Sequence, residues 1–317
     1  MSFKIIGTGR ELPGRMVTND DLSKIVDTSD EWIFSRSGIK TRYISTGESA
    51  LELGAGAARK ALDDAGVRPE DLDLIICSTM QGDHCTPSLG CEIQSQLGAG
   101  CPAFDVNAAC SGFIYALDIA SGYFAAGRAK RVLVVSVDMM SRLLDWTDRT
   151  TCVLFGDGAG AVVLAEGDNL LTSFITAKGD SQYLKISFKY ADNPFCIGSD
   201  ASPYLYMDGR EIFRFAVSAL AEDIQRCIRE AGITPEMVSW VIPHRANSRI
   251  IDSAAVKSGI TREKFYLNLD KYGNTSSASI PIGLDELARS GKLIRGQLLI
   301  MSAFGGGLTT GGCVIRW

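Results

Sequence analysis

Apolar residues in this chain gather in short unbroken runs more often than they alternate. Leu133 to Val137 and Leu298 to Met301 are such runs, the pattern of strands covered on both faces of a sheet. Ser111 to Ala126 is apolar almost all round, which predicts a helix buried between two layers. Ser49-Ala50-Leu51-Glu52 has the form of a capping box, in which the Ser oxygen accepts from an early helix N–H and the Glu reaches back. Gly66 then supplies a left-handed stop. Thr28-Ser29-Asp30-Glu31 has the same form, with Gly38 as its stop. Met1 to Gly9 carries one Lys and no long apolar run, so it reads as a first strand and not as a signal peptide. The strongest apolar runs, such as Val132 to Val137, fall far short of the ~20 residues a membrane span needs.

The elements repeat. Ala65-Gly66-Val67-Arg68-Pro69-Glu70 precedes a strand from Leu72 to Cys77, and Ala231-Gly232-Ile233-Thr234-Pro235-Glu236 precedes one from Val238 to Ile242, 166 residues later. At the same spacing Val134-Val135-Ser136 meets Ile300-Met301-Ser302, and more loosely Gly156 to Leu164 resembles Gly305 to Ile315. Ordered matches of this kind predict two copies of one α/β unit, residues 1–168 and 169–317, packed as pseudo-symmetric halves.

Composition agrees with an ordinary globular protein. Of 317 residues, 46% are hydrophobic and 22% charged, enough to bury a sizeable core. With 32 basic and 37 acidic side chains the formal charge is −5, which gives no reason to expect nucleic acid or an anionic membrane as partner. Nine cysteines, an odd number spread through apolar segments, do not read as a disulfide framework and suit a reducing cytoplasm. Cys77, Cys85, Cys91 and Cys101 lie near His84, one of two histidines, but their spacings match no zinc motif.

The chemistry-bearing residues fall at element ends. Asp105-Val106-Asn107 ends a strand and Ser111-Gly112-Phe113 opens the buried helix, so Cys110 sits at a helix N-terminus. The helix carries about half a positive charge there, which should lower the thiol pKa. Most free cysteines are nevertheless small buried hydrophobes. His244 follows the strand Ser239 to Pro243, where α/β proteins tend to place their sites; a structural histidine is the competing reading. Asn274 lies in Tyr272-Gly273-Asn274-Thr275-Ser276-Ser277, on a turn expected to occupy in the second half the place of Cys110 in the first. Phe304-Gly305-Gly306-Gly307 permits close backbone approach and could aim an N–H at an oxyanion. Gly156-Asp157-Gly158-Ala159-Gly160 precedes a strand, not a helix, which excludes a dinucleotide site.

Together Asp105 to Phe113, Pro243-His244-Arg245-Ala246-Asn247, Gly273-Asn274-Thr275-Ser276 and Ala303 to Leu308 resemble the β-ketoacyl-acyl-carrier-protein synthase III family. The resemblance covers nearly the whole chain. It implies the thiolase fold, two duplicated halves in five αβαβα layers, and a homodimer. It implies a decarboxylative Claisen condensation of an acyl-CoA primer with malonyl-carrier protein, without metal or redox cofactor. Cys110 would carry the acyl group, Cys110 and Gly306 N–H groups would hold the oxyanion beside Phe304, and His244 and Asn274 would stabilise the enolate. Coenzyme A contacts are implied at Trp32, Arg36, Arg149, Met207 and Asn247. Contacts with an acidic carrier protein are implied at Arg214, Arg245, Ala246, Asn247, Ser248, Arg249 and Lys257.

Departures from the family pattern are informative. Arg245 stands where Gln is common, and is expected to add a charge near the site mouth. Thr86 takes the place of a larger apolar residue over the primer pocket, which is expected to admit primers larger than acetyl. Asp180 to Ser202 matches the family poorly. A related enzyme loading an unusual starter in secondary metabolism is the close alternative. A non-catalytic partner subunit would lack Cys110, and a degradative thiolase would carry a second cysteine in the stretch Ala303 to Leu308, which has none.

Overall fold

The computed structural model describes residues 2–188, 191–192, 194–198 and 201–317. Apolar runs become strands and the capped segments between them become helices. The first half runs β1 (Ser2–Glu11), β2 (Arg15–Thr18), α1 (Asn19–Leu22), α2 (Asp30–Ser37), β3 (Thr41–Ile44), α3 (Ala50–Ala65), β4 (Leu74–Ser78), α4 (Leu89–Leu97), β5 (Ala103–Val106), α5 (Gly112–Ala125), β6 (Arg131–Met139) and β7 (Asp157–Gly167). The second runs β8 (Leu170–Asp180), β9 (Leu184–Ile186), β10 (Leu205–Met207), α6 (Gly209–Ala231), β11 (Val238–Pro243), α7 (Ser248–Ser258), α8 (Leu269–Tyr272), α9 (Ser279–Arg289), β12 (Leu298–Gly305) and β13 (Gly307–Arg316).

Two main sheets follow one plan. The first has the order β1-β7-β6-β4-β5 and the second β8-β13-β12-β11. β4 pairs with β6 in parallel, with Ser78 opposite Ser136, as β11 pairs with β12, with Pro243 opposite Ser302. β6 and β7 are antiparallel, as are β12 and β13. The helix stops repeat as well. Gly66 (φ 62°) and Gly232 (φ 64°) end α3 and α6 in the left-handed region, where a side chain would be strained. In each case the next residue donates back five positions: Val67 N to Leu62 O and Ile233 N to Ile228 O.

Helices α5 and α9 lie between the sheets. Phe113, Ile114, Leu117 and Phe124 of α5 pack with Leu284 and Leu287 of α9, Val134 and Val162 of the first sheet, and Leu299 and Met301 of the second. Each such side chain, fully buried, contributes roughly 1.5–3 kcal/mol. α3 and α4 cover the outer face of the first sheet, and α6 and α7 that of the second. The result is the five-layered αβαβα sandwich. One cap differs from expectation. Ser49 and Glu52 form the reciprocal capping box, but α2 is capped by Ser29 alone, which accepts from Trp32 N. Glu31 is one residue too early to reach back, because Ser29 and not Thr28 is the cap.

Candidate active site

Cys110 is held on a short 3-10 turn, Ala109–Ser111, between β5 and α5. Asn107 Oδ1 accepts from Ala109 N at 3.2 Å, and Ala109 is forced to φ 47°. The second half builds the same turn. Asn274 Oδ1 accepts from Ser276 N at 2.9 Å, Ser276 has φ 49°, and a 3-10 turn over Ser276–Ala278 leads into α9. The expected equivalence of Asn274 with Cys110 is therefore shifted by three positions. Asn274 matches Asn107, and Ser277 matches Cys110.

The two turns meet. Ser276 Oγ lies 3.4 Å from Cys110 Sγ and donates to it. A Cβ at Gly305 would lie 2.7 Å from Cys110 N, so only glycine lets β12 approach this closely. Thr309 ties the seam, donating from Oγ1 to Ala108 O at 3.0 Å and contacting Gly306 O at 2.9 Å. His244 follows β11, and its N donates to Ser302 O at 2.8 Å, extending the parallel ladder. Its ring stands edge-on to Phe304, centroids 5.1 Å apart. Asn274 is fixed through its main chain: its N donates to Leu154 O and its O accepts from Gly156 N. With Oδ1 occupied by Ser276, the Asn274 amide has its NH₂ left to offer.

Cys110, His244, Asn274, Phe304, Gly306, Met207 and Ala246 all line one cavity of about 770 Å³. Its remaining wall is largely apolar, with Met80, Met140, Leu143, Phe155, Leu184 and Leu205, a lining suited to an acyl chain. The electrostatics differ from the sequence expectation. Atoms packed around the sulfur desolvate it, and burial pushes the Cys110 thiol up to about 12, against the Ser276 hydrogen bond that lowers it. Burial lowers the His244 imidazole to about 3, and the Arg245 charge acts the same way. Thiol and imidazole are thus both neutral at physiological pH.

Other expected residues assemble beside the cavity. Arg36 and Arg149 guanidinium carbons lie 4.5 and 5.2 Å from the Trp32 ring centroid. Asn247 Nδ2 donates to Arg36 O and Arg249 Nη2 to Ser35 O, joining α2 to the start of α7, where Ser248 packs against Gly38. Arg214 and Lys257 are exposed, Arg214 paired with Glu211 on its own helix. Two expectations are corrected. Arg245 is 0% exposed and donates to Ser279 O at 2.6 Å, so it adds no charge at a docking surface and instead places a buried cation beside His244. Thr86 is exposed and, among the described residues, is not part of the cavity wall, so it does not set the primer pocket within one chain.

Three functional candidates escaped the sequence: Ser276 on the sulfur, Ser277, and Asp138 at the end of β6. A carboxylate closing an apolar run at a strand end was the available signal for Asp138.

The chain matches the family models for 3-oxoacyl-[acyl-carrier-protein (ACP)] synthase III over residues 104–179 and for its C-terminal part over residues 228–317. β-Ketoacyl-[acyl-carrier-protein] synthase III of Clostridium acetobutylicum is 46% identical over 321 residues, covering 100% of this chain and 99% of that one. The chain belongs to the β-ketoacyl-acyl-carrier-protein synthase III family. The crystal structure of the synthase III from Aquifex aeolicus superposes with a TM-score of 0.93 at 48% identity, covering 99% and 100% of the two chains. A priming β-ketosynthase from the R1128 polyketide pathway superposes equally well, TM-score 0.93, at 35% identity over 99% and 96%. Synthase III relatives at 46% and 48% identity over the full length favour the synthase III of fatty acid synthesis over the secondary-metabolism alternative. As a synthase III, the chain is a condensing acyltransferase.

Proposed function

We propose that this synthase III joins an acyl group from acyl-CoA to malonyl-carrier protein with loss of CO₂, starting fatty acid synthesis, and that Cys110, His244 and Asn274 carry the chemistry. The supporting observation is their convergence, from three distant segments, on one apolar cavity. In the first half-reaction the Cys110 sulfur attacks the thioester carbonyl, and the thiol proton leaves with the CoA sulfur. Burial pushes the thiol up, which favours proton loss in step with the attack. Main-chain N–H groups of Cys110 and Gly306, both on the cavity wall, are assigned to the oxygen that gains charge.

In the second half-reaction a neutral His244 N–H and the Asn274 NH₂ donate to the malonyl thioester carbonyl. Loss of CO₂ leaves an enolate that these donors stabilise. Its carbon attacks acyl-Cys110, and the released sulfur takes up a proton. Loss of CO₂ supplies the driving force, so the reading needs no metal or redox cofactor.

Trp32, Arg36, Arg149, Met207 and Asn247 are assigned to coenzyme A, the Trp32 face to its base. Arg214, Ala246, Asn247, Ser248, Arg249 and Lys257 are assigned to the acidic carrier protein, a local basic face on a net acidic chain. β5 ends its sheet, and a second copy pairing there accounts for the proposed homodimer. All nine cysteines are free, in keeping with a cytoplasmic setting, and among the described residues no helix is long and apolar enough to cross a membrane. The roomy apolar wall supports primers of acetyl size and somewhat larger.

Intact-protein mass spectrometry after exposure to a panel of acyl-CoAs tests the reading. Short acyl groups should add once to the wild type and not to Cys110→Ala. A marked preference for aryl or long-chain groups would count against fatty acid initiation, and condensation by Cys110→Ala would remove the nucleophile assignment.

A further inference from the structure

Asp138 closes β6 in the first half of the molecule and is 1% exposed. Three donors converge on its carboxylate. Met80 N donates to Oδ1 at 3.0 Å. Ser277 N and Ser277 Oγ both donate to Oδ2, at 2.9 and 2.6 Å. Met80 lines the cavity. Ser277 belongs to the other half, on the turn that carries Asn274 and the Ser276 hydroxyl. The carboxylate thus reaches from one half to the other and grips the second turn at the position equivalent to Cys110.

We infer that Asp138 is a positioning residue for condensation, acting through Ser277 to hold the Asn274 amide in place for the malonyl half-reaction. The chemistry requires a carboxylate. All its partners are donors, so an amide in its place would turn an NH₂ toward an N–H or an O–H. Burial raises the Asp138 carboxyl to about 6 while the Ser277 hydrogen bonds pull the other way, so at neutral pH it is ionised and accepts all three. The main-chain bonds to Leu154 and Gly156 fix the start of the turn at Asn274, and the carboxylate grip fixes it three residues on, at Ser277. Ser276 is held at φ 49°, a conformation that persists only when its surroundings enforce it.

The inference rests on the assignment of Asn274 to the malonyl half-reaction, and the test separates the two. The full-length enzyme is assayed for acylation of Cys110 by acyl-CoA and, separately, for CO₂ release from malonyl-carrier protein. Asp138→Asn should lower CO₂ release about 10²-fold, the cost of a misplacement near 1 Å, and change acylation less than about threefold. Ser277→Ala, which removes one hydroxyl and survives even if Asp138→Asn does not fold, should lower CO₂ release about tenfold, a smaller misplacement. The double variant should be no worse than Asp138→Asn, because coupled residues are not additive. Multiplying losses, an equal loss in both half-reactions, or unchanged CO₂ release in folded Ser277→Ala each overturn the inference. Asn274→Ala is the control: if it leaves CO₂ release intact, the assignment of Asn274 falls, and if it abolishes release while Ser277→Ala does not slow it, only the role of Asp138 falls.

Discussion

Residues 107–112 and 274–279 trace the same backbone. Each begins with an Asn whose Oδ1 accepts an N–H two positions on, passes through a left-handed non-glycine residue, and enters a helix of the central layer. The first turn presents Cys110 to the cavity. The second has Ser277 at the matching place, turned away into the Asp138 carboxylate, and offers the Asn274 amide instead. The two halves therefore hold a pair of equivalent platforms, and the proposed assignment divides the chemistry between them by side chain alone: a nucleophile on one, a hydrogen-bond donor on the other. Both Asn107 and Asn274 brace their turns, and the proposed function gives the second brace a further use.

The sharpest way to break this comparison is to remove each reagent in turn. Asn274→Ala should cost about 10²–10³ in CO₂ release from malonyl-carrier protein, the usual cost of one preorganised donor, while Cys110 still takes up acyl groups. Cys110→Ala should show the reverse, with no acyl adduct and persistent decarboxylation. Loss of both activities in either variant would mean that the turns do not divide the work.

Gly305→Ala probes the seam between the turns. A methyl 2.7 Å from Cys110 N must push β12 from the first turn, and acylation should fall about 10²-fold. Acylation rates measured by mass spectrometry check this.

His244 is proposed as a neutral donor beside the second turn, and its buried imidazole has a stability signature of its own. Its folded value of about 3 lies below the ordinary 6.5, so between these values the unfolded chain binds the extra proton. Its contribution is full above pH 6.5 and is lost as pH falls toward 3. In denaturant titrations across that window, His244→Gln should lose less stability than the wild type.

The smallest effects distinguish the two left-handed residues. Ala109→Gly relieves a strained φ and should stabilise by about 1 kcal/mol, read as a higher melting temperature. Ser276→Gly gains the same relief but removes the hydroxyl that lowers the Cys110 pKa. Iodoacetamide should then alkylate Cys110 more slowly than in the wild type.

Much of the architecture was legible because it rests on local rules. Capping at Ser49, glycine stops at Gly38 and Gly66, and unbroken apolar runs each announce themselves within a few residues. The shared elements Ala65 to Cys77 and Ala231 to Ile242 exposed the duplication for the same reason. Contacts between the halves were not legible. Nothing near Ser277 in the chain points to Asp138, 139 residues away, and nothing near Arg245 shows that its guanidinium is buried against Ser279. The Cys110 pKa was misjudged because a helix end can be seen in a sequence, whereas the atoms that desolvate a sulfur come from everywhere in the fold.

On the proposed assignment of Trp32 to coenzyme A, its face has a bearing on how often the enzyme can turn over. It already carries two guanidinium groups, Arg36 and Arg149, and Arg149 is also bonded to Asp27 O and Oδ2. A nucleotide base arriving on this ring exchanges one stacking partner for another, and its net gain is the difference between two contacts. The displaced arginine keeps Asp27 as a resting place and is poised to return. A handle that grips only by exchange favours prompt departure of free coenzyme A, which must clear the entrance before the malonyl-bearing carrier can reach the acylated cysteine.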